Sequence, residues 1–199
     1  MDAVTLEQPA ARSVEAKAIA PAAFAHFVLR TSNMAAMRSW YATVLTAHIV
    51  QENEQICFLT YDEEHHRLAL VNVAGLHAPD AETWGLAHVA YSYGSLGDLL
   101  STYVRLRDAG IRPVRTINHG PSFSFYYRDP DGNAVELQVD AFPTKAEASA
   151  FFTSPAFKEN PIGVLFDVEA VIRAYEAGTP VADLLRRPDG PAERPMGSR

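Results

Sequence analysis

One pattern occurs twice in this chain: a short apolar strand, a helix, and three further strands. The first copy opens on Ala23-Phe24-Ala25-His26-Phe27-Val28 and the second on Trp84-Gly85-Leu86-Ala87-His88-Val89-Ala90, so the two histidines sit 62 residues apart. A strand–helix–three-strand unit cannot bury its apolar face alone, and duplication lets two units pack on each other. In the first copy, apolar residues at spacings of three and four (Met34, Met37, Trp40, Tyr41, Val44, Leu45) predict a helix after Asn33, its N-cap. Strands follow at residues 47–51, 55–61 and 66–73. In the second, residues 85–93 read as a strand, and Ser95 with Asp98 opens a helix that Gly110 ends. Strands at residues 112–117, 122–128 and 134–139 complete the copy, the last after the Asp131-Gly132-Asn133 turn. The first strand, from Phe24, is expected to be buried on both faces.

The fold class is therefore α+β: two βαβββ modules, residues 21–74 and 84–140, forming a cupped sheet. A hinge with Pro79 and Asp80 joins them. Residues 1–20 read as a leader segment. Residues 141–199 form a C-terminal extension, helical and then mobile from Arg187. Thr144 with Glu147 marks a capping box, Asp167 a second N-cap, and Thr179-Pro180 a third helix start. The extension is expected to cover a sheet face, with a dimer contact or a partial lid as the sharper alternative.

The net charge of −7 supplies no basic face for nucleic acid or an anionic membrane. No stretch approaches the roughly 20 apolar residues of a membrane span. Cys57, the only cysteine, rules out an intrachain disulfide and reads as a small core residue. With no apolar signal core near the start, a cytoplasmic location is expected.

His26 and His88 occupy equivalent positions, so a pseudo-twofold axis would bring them together. Glu136 lies on the last strand with Ala134 and Gln138, opposite the apolar Val135, Leu137 and Val139. Carrying its offset from His88 back to His26 lands on Ala74, among neighbours without a carboxylate. Two imidazoles and one carboxylate leave coordination positions open and suit non-haem iron(II), or manganese(II). Singly, a strand glutamate or a buried histidine is more often structural. At repeat-equivalent strands the metal reading is stronger.

In this order, His26, His88 and Glu136 within a duplicated βαβββ plan resemble the vicinal oxygen chelate superfamily, over about residues 22–140. Glyoxalases, fosfomycin-resistance transferases, bleomycin-binding proteins and type I extradiol dioxygenases belong to it. The stretch from Cys57 to Leu70, with His65-His66 before an apolar strand, is similar to the ring-cleaving members. That resemblance implies an acid/base and dioxygen-stabilising role for His66. Ser124-Phe125-Tyr126-Tyr127-Arg128-Asp129-Pro130-Asp131-Gly132 resembles their segment ending in the carboxylate ligand, which implies that Tyr126 contacts a catechol oxygen and that His119 is a further site histidine. Alternation along a strand allows only one of His65 and His66, and one of Tyr126 and Tyr127, to face the site. His48 and His77 read as structural or exposed.

The activity so implied is iron(II)-dependent extradiol cleavage of a catechol, such as 2,3-dihydroxybiphenyl, by dioxygen. Two alternatives remain at this stage. One is a non-redox enzyme of the same scaffold (glyoxalase-, thiol-transferase- or isomerase-like); the other is a metal-free small-molecule-binding module. Exposed sheet edges and the apolar tail predict a homodimer.

Overall fold

The computed structural model describes residues 16–78 and 83–190. The first fifteen residues of the leader, the core of the hinge with Pro79 and Asp80, and the tail beyond residue 190 lie outside them.

The first module comprises β1 (Phe27–Thr31), α1 (Met34–Leu45), β2 (His48–Glu52), β3 (Ile56–Thr60) and β4 (Leu68–Asn72). The second comprises β5 (Val89–Ser92), α2 (Leu96–Asp108), β6 (Arg115–Asn118), β7 (Ser122–Arg128) and β8 (Ala134–Asp140). Each folds its strands in the same order, β1-β4-β3-β2 and β5-β8-β7-β6, with the first strand parallel to the last. The expected α+β fold of two βαβββ modules is the one observed.

The register revises one expectation. Val28 and Ala90, each two residues past its histidine, pair with Ala69 and Glu136. The counterpart of Glu136 is therefore Ala69, not Ala74. Between paired positions the chain runs 41 residues in the first module (Phe27 to Leu68) and 46 in the second (Val89 to Val135), so counting from the histidines overshoots. Ala69 also lacks a carboxylate, and the asymmetry of the donor set stands.

The start of β1 differs too. Phe24 and Ala25 are outside the ladder because the Arg67 guanidinium takes both of their carbonyls, at 2.6 and 3.0 Å. The strand is not buried on both faces: Val28 is 50% exposed and Arg30 is also exposed. His65 and His66 precede β4, in a bend pinned by Asp62, which accepts from Arg67 Nε and from the Glu64 amide. Strand alternation does not apply there. His66 is nonetheless half-buried and His65 exposed.

One core joins both modules and the extension. Met37, Tyr41 and Val44 of α1 pack with Cys57, Leu59, Leu68 and Leu70 of the first sheet. Leu96, Leu99, Tyr103 and Leu106 of α2 pack with Phe123, Phe125, Tyr127, Val135 and Leu137 of the second. The modules are tied by Tyr41, whose hydroxyl donates to Asp129 Oδ2 at 3.0 Å. Asp129 also accepts from the amides of Asp131 and Asn133 and from the Asn133 side chain, so this buried carboxylate is fully engaged.

The helix ends follow the sequence with one exception. Ser95, Thr144 and Asp167 accept the hydrogen bonds expected of N-caps, and Thr144 with Glu147 completes its capping box. Asn33 does not cap α1 with its side chain; its own amide donates to Thr31 Oγ1 instead.

The extension forms α3 (Lys145–Phe151), α4 (Pro155–Glu159), β9 (Val164–Leu165), α5 (Val168–Glu176) and α6 (Val181–Leu185). β9 adds to the free edge of β6, which removes that edge from water. Phe166 stacks on Phe123 with ring centroids 3.8 Å apart. Arg187, the expected start of a mobile tail, is bonded to the body of the protein.

Candidate active site

The site is built on one face of the second sheet. Val135, Leu137 and Val139 point into the core, so Glu136 and Gln138 point the other way. Glu136 is cross-strand partner to Ala90 on one side and Tyr126 on the other. Alternation likewise sends Tyr127 into the core, fully buried, and Tyr126 to the site.

His88, just before β5, places Nε2 2.9 Å from Glu136 Oε2. Its other ring nitrogen, Nδ1, is buried without a partner. Tyr126 stands edge-on to His88 with ring centroids 5.5 Å apart, and its hydroxyl is 2.8 Å from His119 Nε2. His119 Nδ1 meets the carbonyl of Ile162 from the extension. A carbonyl only accepts, so Nδ1 carries the proton and Nε2 presents a lone pair to the tyrosine. Burial holds the His119 pKa below its ordinary value, the Ile162 carbonyl partly opposing it. Burial and the charge of Glu136 hold Tyr126 well above the usual phenol range. Both are neutral near pH 7.

The structure thus brings together four of the six residues singled out from sequence: His88, Glu136, Tyr126 and His119. The other two form a second group. His26 and His66 have ring centroids 4.2 Å apart, with Phe58 4.8 Å from His66. Burial, then the neighbouring His26 and His65, lower the His66 pKa. Among the described residues, no three His, Cys, Asp or Glu side chains stand together as a set able to hold a metal. Of the three expected ligands, His88 stands with Glu136, while His26 lies with His66. His48 and His77 are exposed.

A cavity of about 270 Å³ opens over Tyr126, Glu136 and His119, bounded also by Gln138, Phe152 and Phe157. The phenylalanines belong to the extension, which thus walls the site as well as covering the sheet. Nothing in the local sequence at Phe157 marks this; only the return of the chain over β6 puts it there.

Residues 23–137 match the Glyoxalase/Bleomycin resistance protein/Dioxygenase superfamily. The chain belongs to this superfamily. It is 50% identical over 159 residues to a biphenyl-2,3-diol 1,2-dioxygenase 2 of Rhodococcus globerulus, covering 79% of this chain and 84% of the relative. It is 47% identical over 165 residues to biphenyl-2,3-diol 1,2-dioxygenase 3 of the same organism, covering 82% and 87%. Among solved structures, lactoylglutathione lyase of Agrobacterium tumefaciens is 21% identical with a TM-score of 0.50, covering 60% of this chain and 94% of that one. The fosfomycin resistance protein FosX of Listeria monocytogenes is 15% identical with the same TM-score, covering 65% and 99%. These two structures share the fold. Among the described residues, no helix is long and apolar enough to cross a membrane.

Proposed function

We propose that this protein is a metal-dependent extradiol dioxygenase that opens the ring of 2,3-dihydroxybiphenyl, or a related substituted catechol, beside its hydroxyl groups. The observation that carries this reading is the 50% identity, over most of both chains, to a relative named for that reaction. The neutral His119–Tyr126 pair beside Glu136 agrees with it, because a diol must shed protons as it binds.

His26, His88 and Glu136 are proposed to hold iron(II), or manganese(II). The donor chemistry fits: two imidazoles and one carboxylate leave open positions. Glu136 Oε2 and His88 Nε2 already face one another, and the unpartnered Nδ1 leaves that ring fixed by little else. Bound there, the metal supplies Lewis acidity that favours the ionised diol and the electron transfer that dioxygen chemistry requires.

The chain's own residues do the rest. Tyr126 offers its hydroxyl to a substrate oxygen, and the lone pair on His119 Nε2 accepts the tyrosine proton as the substrate gives up its own. His66, half-buried against Phe58, is the base and proton donor proposed for the dioxygen side. Phe152 and Phe157 supply an apolar wall that suits a second aromatic ring and keeps water from the reacting carbons.

The test is reconstitution with iron(II) under anaerobic conditions, followed by substrate and air. A yellow ring-fission product with one dioxygen consumed per diol is expected. Absence of product across catechol, alkylcatechols and 2,3-dihydroxybiphenyl, with metal bound, overturns the reading.

A further inference from the structure

We propose that Arg187 is a positioning residue for His119: with Asn160 and Gly163 it holds the Ile162 carbonyl against Nδ1 and thereby fixes which ring nitrogen faces Tyr126.

Three features fix the backbone on either side of that carbonyl. Asn160, only 3% exposed, accepts from the amides of Ile162 and Gly163 through Oδ1 and donates to the Gly163 and Gly190 carbonyls through Nδ2. Arg187 donates to the carbonyls of Asn160 and Ala156, each at 2.7 Å, and to that of His119 itself at 3.3 Å. Its guanidinium also lies 5.0 Å from the centroid of the Phe151 ring. Gly163, at φ +121°, lets the segment press onto β6, since a Cβ there would stand 2.4 Å from the Asn118 carbonyl oxygen and 2.9 Å from His119 Cα.

A planar guanidinium with five fixed donors suits a site where several carbonyls must be held in one geometry. By bonding both the His119 backbone and the segment that carries Ile162, Arg187 sets the distance between the imidazole and its acceptor. If that contact loosens, the proton is free to move to Nε2, and the nitrogen facing Tyr126 loses its lone pair. The tautomer is set whether or not the chain turns over a diol; its catalytic use rests on the dioxygenase reading.

The experiment is nitrogen-15 NMR of the histidine rings in metal-free, full-length protein, with thermal unfolding measured in parallel. The wild type is expected to show His119 as a single Nδ1–H tautomer. Arg187→Ala should shift its ring nitrogens toward a mixture, and Arg187→Lys, which retains fewer donors, should restore part of the wild-type signal. After reconstitution, kcat of Arg187→Ala should fall about ten- to a hundredfold, the scale on which outer partners of site histidines act. A folded Arg187→Ala with a lowered Tm and an unchanged tautomer signal overturns the proposal and leaves Arg187 a stabilising residue. Should Arg187→Ala fail to fold, Arg187→Lys decides: a mixed signal supports the proposal and a wild-type signal overturns it. Failure of wild-type turnover would bear on the dioxygenase reading and leave the tautomer result standing.

Discussion

His88 Nε2 and Glu136 Oε2 meet at 2.9 Å beside the parallel β5–β8 pair, whereas His66 stands against His26 in the first module, with ring centroids 4.2 Å apart. Glu136→Ala removes a proposed ligand; His66→Ala removes a group that flanks His26. Metal analysis after iron(II) reconstitution and desalting should therefore show iron lost from Glu136→Ala and retained by His66→Ala. Turnover of His66→Ala should fall about 100- to 10,000-fold, as for a lost acid–base group. Equal iron loss in both variants would contradict this division of roles.

The aromatic wall predicts a specificity effect. Phe157 lines the cavity with Tyr126 and Glu136 but has no polar group to offer the diol. Burying a phenyl ring is worth about 1.5–3 kcal/mol. Phe157→Ala should therefore raise KM for 2,3-dihydroxybiphenyl about tenfold or more, while KM for unsubstituted catechol changes little. Parallel kinetics on the two diols provide the check. Equal effects on both would assign Phe157 to folding of the extension.

The repeat was legible because it rests on local rules. Period-two alternation set Glu136 opposite the apolar Val135, Leu137 and Val139 and allowed only one of Tyr126 and Tyr127 at the site; the matched strand openings singled out His26 and His88, and the family resemblance supplied Tyr126, His66 and His119. Counting failed where loops differ in length, which is why the counterpart of Glu136 was expected at Ala74 and stands at Ala69. The five-residue α4 and two-residue β9 are too short for a periodicity to show. The Ile162 carbonyl carries no side-chain signature at all; its role at His119 arises only from tertiary packing of the extension.

Across the module boundary, Tyr41 donates to the buried Asp129 carboxylate at 3.0 Å. Tyr41→Phe keeps the ring and deletes the donor to a charged acceptor, which should cost about 1.5–3 kcal/mol. Urea unfolding should show a lower midpoint with an unchanged slope. A change below about 0.5 kcal/mol would mean that the three bonds from Asp131 and Asn133 satisfy Asp129 without the tyrosine.

Thr46 ends α1 at φ 53° and ψ 33°, the one described non-glycine residue with positive φ. A β-branched side chain in the left-handed region is strained, whereas glycine adopts it freely. Thr46→Gly should therefore stabilise the fold by about 0.5–1 kcal/mol, the entropy of the freer unfolded chain offsetting part of the gain. Thermal unfolding at matched pH would reveal the opposite sign if Thr46 made a compensating contact.

Cys57 sits in β3 with 1% exposure, and burial, with a smaller contribution from Glu52, pushes its thiol from the ordinary value of 9.0 up to about 11. The folded-state pKa lies above the unfolded one, so the thiol's contribution to stability is complete below pH 9 and is lost as pH rises toward 11. Between those values the unfolded chain releases the proton first, and unfolding becomes more favourable. Cys57→Ala has no thiol to titrate. Its own stability is lower at pH 8 because a buried sulfur is deleted, but its decline from pH 9 to 11 should be shallower than that of the wild type. Denaturant unfolding of both proteins across that range provides the comparison. Parallel curves would mean that the Cys57 thiol titrates alike in the folded and unfolded chains.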